Sequence, residues 1–249
     1  MKLLILGSGT CVPSLQRNAP GYLLELEGMR VLVDCGSGIL LQLERAGRSY
    51  RDIDAVFITH SHPDHISDLM PLIHALIATP GYARKKPLQV VGSTLVEEFL
   101  EGCILGVLRR PEDFSIDYTE VSGKMQIQSL TVYSAKTIHS EDSFAFRFEH
   151  DGYCIVFTGD ADYSESIIEL STGADLLVAD CSYPYEQKRK GHLTPKECGT
   201  IAAKAGVKHL LLSHLYPTNY SAEDILEEAR REFNGKVTVA EDLMEIRLS

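Results

Sequence analysis

One ten-residue stretch constrains this chain more than any other: Thr59 to Asp68, THSHPDHISD, which puts His60, His62, Asp64 and His65 within six positions. The run before it, Ala55, Val56, Phe57 and Ile58, is rich in β-branched and aromatic residues and reads as a buried strand. The four polar side chains therefore share the loop at that strand's C-terminal end. Imidazole nitrogen and carboxylate oxygen are the donors that suit zinc and its first-row neighbours. Crowding four such groups into one tight loop is costly without a cation to compensate, so the segment predicts a metal site at a strand end.

Further donors follow. His139 in KTIHS, Asp160 in FTGDAD and His214 in LLSHL each come after a strand-like run, and Asp34 lies upstream in VLVDCGSG. Taken in order with the H-x-H-x-D-H spacing, these motifs resemble the metallo-β-lactamase superfamily over almost the whole chain. The resemblance implies an α+β fold, a four-layer αββα sandwich with its metal site at one edge between two sheets, formed as a single domain of residues 1–249. It implies that His60, His62 and His139 hold one metal, that Asp64, His65 and His214 hold a second, and that Asp160 bridges them. A carboxylate at Asp34 is placed to fix the tautomer of a ligand histidine from behind. Two zinc ions are expected, with manganese or iron as alternatives for the same donors.

Within that superfamily the opening loop GSGTCVPSLQRN resembles the RNase Z and related phosphodiesterase branch, with Pro13, Arg17 and Asn18 as the matching residues. Arg17 is a candidate to grip a substrate phosphate, and equally an ordinary arginine in a polar loop. The glycines of this loop are not followed by a helix pattern, which argues against a dinucleotide site. RNase Z enzymes carry a long tRNA-gripping arm between the motifs of His139 and Asp160, but only 21 positions separate the two here. The arm is missing. His192 in GHLTP falls where this branch supplies a histidine that helps the leaving group depart. Thr194, Pro195 and Glu197 beside it form a helix-capping signature.

The expected function is therefore a dinuclear-zinc phosphodiesterase acting on a small or cyclic phosphodiester through a metal-bridging hydroxide, with Asp64 and His192 as its catalytic residues. The alternatives are RNase Z-like tRNA 3′-processing, a thioesterase or lactonase on the same scaffold, and a metal-stabilised binding protein without turnover. Composition bears on that choice. The net charge is −11, so the global field does not recruit long nucleic acid, although Lys188, Arg189 and Lys190 form a local basic cluster. Six cysteines are scattered without paired spacing, which reads as reduced thiols in a cytoplasmic protein. Met1 and Lys2 lead straight into strand-like residues, so no leader is expected, and no apolar run is long enough to span a membrane. A homodimer is compatible with the branch.

The remaining pattern alternates strand and helix. Strands are expected over Lys2–Leu6, a hairpin at Tyr22–Leu26 and Arg30–Val33, then Leu88–Val91, Ser115–Val121 and Met125–Ser134. A second hairpin turns at Asp151 and Gly152 and delivers Asp160 to a strand end. Helices are expected along the stripe Ile66–Ile77 with a start or kink near Pro71, over Thr94–Leu108, Tyr163–Leu170, after Thr194, and from Ser221 to Phe233. Asp175–Ala179, Lys208–Leu212 and Val237–Leu248 read as strands. His74, His150 and His209 match no ligand position, and Asp180 reads as either a supporting residue or a plain strand end.

Overall fold

The computed structural model describes residues 1–217 and 220–248. Its strands are β1 (Lys2–Gly7), β2 (Gly21–Leu26), β3 (Met29–Cys35), β4 (Ala55–Phe57), β5 (Leu88–Gly92) and β6 (Ile116–Glu120), then β7 (Lys124–Ile127), β8 (Leu130–Lys136), β9 (Phe144–His150), β10 (Tyr153–Phe157), β11 (Leu176–Asp180), β12 (His209–Ser213), β13 (Lys236–Val239) and β14 (Glu245–Arg247). They form two seven-stranded sheets, ordered β14-β1-β2-β3-β4-β5-β6 and β13-β12-β11-β10-β9-β8-β7. Each sheet has antiparallel pairs at one side and parallel pairs at the other. β14, β1, β2 and β3 pair antiparallel and β3 to β6 pair parallel, and the same change occurs at β10 in the second sheet.

Period-two alternation sorts the side chains into three apolar layers. In the first sheet Leu4, Leu6, Leu23, Leu32, Val56 and Val90 point outward to helices α1 (Ile39–Arg45), α2 (Pro63–Ile66) and α3 (Leu69–Ala78), and to a helical segment that starts as α4 (Thr94–Glu98), winds more widely through Phe99–Leu105 and ends as α5 (Gly106–Leu108). Leu3, Ile5, Val31, Val33 and Phe57 point inward, where they meet Phe146, Phe148, Ile155 and Val178 of the second sheet. Phe57 packs edge-on to Phe146 and Phe148, with ring centroids 5.5 and 5.0 Å away, a preferred aromatic geometry. Val156, Leu177, Leu210 and Leu212 face outward on the second sheet, covered by α6 (Glu165–Ser171), α7 (Pro195–Ala205) and α8 (Ala222–Arg230). The expected αββα sandwich is present. Among the described residues no helix is long and apolar enough to cross a membrane.

Three expectations need correcting. Met125–Ser134 is not one strand but the hairpin β7–β8, which turns where Gln128 takes a positive φ of 54°. Ser129 is only a weak turn signal and Gln128 is none, so the break was easily read through. Val237–Leu248 likewise splits, with β13 in the second sheet and β14 in the first. Leu243, at φ 66°, lies between them, and apolar content alone cannot reveal that a chain changes sheets. Helix α6 starts at Glu165 rather than Tyr163. α3 starts two residues before Pro71, which puts the proline in a first turn, where its missing N–H is tolerated.

Candidate metal centre

The donors gather at the C-terminal ends of parallel strands. His60, His62, Asp64 and His65 follow β4, Asp160 follows β10 and His214 follows β12, whereas His139 follows the antiparallel β8. Ligands of open α/β sheets characteristically sit at such strand ends, where loops can vary over a rigid scaffold.

Two clusters form there. In the first, His60 Nε2 and His139 Nε2 lie 2.9 and 3.1 Å from His62 Nδ1, and Asp160 Oδ2 is 3.5 Å from His139 Nε2. In the second, Asp160 Oδ1 is 3.2 Å from both His65 Nε2 and His214 Nε2, and Asp64 Oδ2 is 3.7 and 3.6 Å from the same two nitrogens. His60, His62, His139 and Asp160 lie close enough for their donor atoms to meet one ion, as do Asp64, His65 and His214, and Asp160 also groups with Asp180, His192 and His214. Asp160 turns one oxygen to each of the two clusters.

Whether these donors fit a cation can be read from what they lack. Buried polar atoms normally have partners, and leaving one unpaired costs about 1–3 kcal/mol. His65 Nε2, His214 Nε2 and Asp160 Oδ1 are buried and have no hydrogen-bond partner, and all three belong to the second cluster. A divalent ion would satisfy them together. The opposite edges of the rings are held. Asp34 Oδ2 lies 2.8 Å from His65 Nδ1, His139 Nδ1 lies 2.9 Å from the Gly191 carbonyl, and Ser182 Oγ lies 2.9 Å from His214 Nδ1. Such partners fix ring orientation and tautomer.

Local backbone serves the same end. Asp34 and His214 both hold left-handed φ values of 58°, unusual for residues other than glycine. Asp34 is held there by Thr59, whose N–H donates to its Oδ1 at 2.8 Å and whose hydroxyl donates to its Oδ2. Gly36 is required by closeness, since a Cβ there would stand 1.9 Å from the Asp64 carbonyl oxygen.

Charge follows the geometry. Burial opposes charge on His65, yet Asp160 and Asp34 outweigh it and lift the imidazole to about 10. Burial also opposes charge on Asp160, but His214 and His65 prevail and hold its carboxyl well below the usual range. His60, buried and beside His65, is pushed well below the ordinary imidazole value.

The family model of the beta-lactamase superfamily domain matches residues 29–215, a span that contains both clusters. The chain belongs to that superfamily. Among its relatives, Ribonuclease Z of Ignicoccus hospitalis is 28% identical, with 98% of this chain and 97% of the relative covered. The probable metallo-hydrolase YhfI of Bacillus subtilis is 30% identical over 96% and 97%. The crystal structure of YhfI superposes with a TM-score of 0.87, at 28% identity and 98% coverage of both chains. Human tRNase Z, short form, shares the fold with a TM-score of 0.81, at 23% identity and full coverage of both. This superfamily member is a metallo-hydrolase of the RNase Z and YhfI type. The alignment with the Ignicoccus protein spans 299 positions against this chain's 249 residues, so at least 50 positions of that relative have no counterpart here, whereas YhfI aligns over 243.

His192 lies beside the clusters, stacked on His214 with centroids 5.6 Å apart and edge-on to His139 at 4.8 Å. Its Nδ1 is 2.9 Å from Asp180 Oδ2. Asp180 carries no ligand motif in the sequence, yet the fold brings it to this site. It is buried at the end of β11, and through Ser182 it also reaches His214. An aspartate closing an apolar strand was its only signal in the sequence. Arg17 is placed differently from a simple phosphate grip. Its Nη1 donates to Ser8 Oγ and to the Ala240 carbonyl, although the residue also lines a groove of about 420 Å³ that reaches Asp64.

Proposed function

We propose that this superfamily member is a zinc-dependent phosphodiesterase of small substrates, including cyclic or nucleotide diesters. The observation that carries the reading is the Asp180-tethered His192 beside the paired clusters. A phosphodiester needs both a nucleophilic water and an acid for its departing alkoxide, and the site offers a group for each. Two divalent ions, held by His60, His62, His139 and Asp160 and by Asp64, His65, His214 and Asp160, would supply hydroxide near neutral pH and charge compensation for the phosphoryl oxygens.

The protein's own groups account for the protons. As the water oxygen bonds to phosphorus, its proton passes to Asp64, whose carboxylate is kept ionised because His214 and His65 outweigh its burial. The bond from phosphorus to the leaving oxygen breaks, and His192 delivers a proton to that oxygen. Burial disfavours the charged form of His192, but the hydrogen bond and charge of Asp180 prevail and raise its pKa, which favours the protonated form an acid needs. Asp180 keeps Nδ1 engaged and leaves Nε2 as the proton carrier.

A folded tRNA fits less well. Relative to Ribonuclease Z at least 50 positions are missing, the net charge is −11, and Lys188 is engaged with Asp162 and Glu197, each 2.6 Å away. The deciding experiment is hydrolysis of bis(p-nitrophenyl) phosphate by zinc-loaded protein beside a thioester, a lactone and a precursor tRNA. Asp64→Ala should abolish diester turnover and His192→Ala should slow it about a hundredfold or more. An inert diester with a turned-over acyl substrate would sink the reading.

A further inference from the structure

Beyond His192 the site continues into an aromatic stack that metal binding and proton transfer leave unexplained. Tyr183 and Tyr216 lie nearly parallel, with centroids 4.7 Å apart and planes 20° from each other. Both rings meet His192 edge-on, at 5.9 and 6.2 Å, and Tyr216 stands 5.9 Å from His214. The guanidinium of Arg189 lies over Tyr183, 5.9 Å from its centroid, and Arg189 makes no ion pair among the described residues. Neither tyrosine is fully buried. A partly exposed pair of rings with a cation over one of them stands next to the proposed proton donor.

Tyr216 also walls a recess of about 150 Å³ facing Val12, Ser14 and Arg17 of the opening loop. The same three residues line the groove of about 420 Å³ that reaches Asp64, so the recess and the groove adjoin along the opening loop. Val12, which lines both, is 39% exposed. A diester held at Asp64 would extend its leaving group past His192 toward the tyrosine stack. A planar, weakly polar ring system fits such a surface, because stacking on an aromatic face tolerates any base and needs no fixed donor pattern.

We propose that the Tyr216 recess, backed by Tyr183 and Arg189, is a nucleobase subsite, which makes the substrate a nucleotidyl phosphodiester rather than an alkyl or glycerol diester. This rests on the phosphodiesterase reading above and assigns the substrate class that the metal clusters leave open.

The test is calorimetric binding of adenosine 5′-monophosphate and ribose 5-phosphate to the zinc-loaded protein. The nucleotide should bind about tenfold to a hundredfold more tightly, the range that one stacked base contributes. Tyr216→Leu should bring the nucleotide to within about threefold of ribose 5-phosphate, and Tyr216→Trp should keep the preference. The chain contains no tryptophan, so Tyr216→Trp also installs a single fluorophore that the nucleotide should quench and ribose 5-phosphate should not. Equal binding of the two probes, binding of neither, or a preference that survives in Tyr216→Leu overturns the subsite. Hydrolysis of bis(p-nitrophenyl) phosphate by the same preparation separates the two ideas. Turnover without a base preference removes the subsite alone, and absence of turnover removes the phosphodiesterase reading.

Discussion

Asp180 Oδ2 lies 2.9 Å from His192 Nδ1, and its other oxygen accepts from Ser182, whose hydroxyl in turn reaches His214. One buried carboxylate thus orients both the proposed proton donor and the ring of a proposed metal ligand. Asp180→Asn keeps the shape but loses the charge that raises the pKa of His192. We expect turnover to fall about 10- to 100-fold, the usual cost of removing such a partner, with a larger loss above neutral pH, where an unassisted imidazole is deprotonated. A pH–rate profile with the alkaline limb unmoved would refute this role.

Metal removal should weaken the fold as well as the activity. Three buried donor atoms go unpartnered without an ion. An ion present at about a thousand times its Kd adds ~4 kcal/mol, and for a chain of this size that is about 10 °C in Tm. Scanning fluorimetry with excess zinc and with chelator checks it. Identical midpoints would show that the clusters bind no ion tightly.

Asp34→Ala removes the acceptor for the Thr59 N–H and the partner of His65, and it places alanine at a φ of 58°. A cost of about 2–4 kcal/mol is expected from the buried donor left unpaired and the strained backbone. Urea unfolding of the metal-free variant measures it without interference from ion binding.

His209 provides a pH test remote from the clusters. Burial, helped by Lys236, pushes its pKa down to about 4, while the unfolded chain holds it near 6.5. Because the folded value is the lower one, the unfolded state binds more protons between the two. The contribution of His209 is therefore complete above pH 6.5 and is lost as pH falls toward 4. His209→Gln should flatten the decline in stability across that window. Parallel urea midpoints for variant and parent from pH 7 to 4 would contradict the assignment.

By itself the sequence determined the donor set and much of the layering. His60, His62, Asp64 and His65 lie so close along the chain that a strand end must present them together, and alternation in runs such as Phe144, Phe146 and Phe148 marks which residues face inward. These are local properties, set by spacing and by the two-residue period of a strand. Tertiary structure decided what depends on distant segments meeting. Asp180 is an ordinary strand-end aspartate until β11 brings it to His192. Tyr183 and Tyr216 are 33 positions apart and carry no joint signal until the ends of β11 and β12 stack them. Arg17 belongs to a loop whose partners, Ser8 and Ala240, come from opposite ends of the chain. Hydrogen bonding and stacking act over a few ångströms of space regardless of separation along the chain, so only the packed sheets could assign those partners.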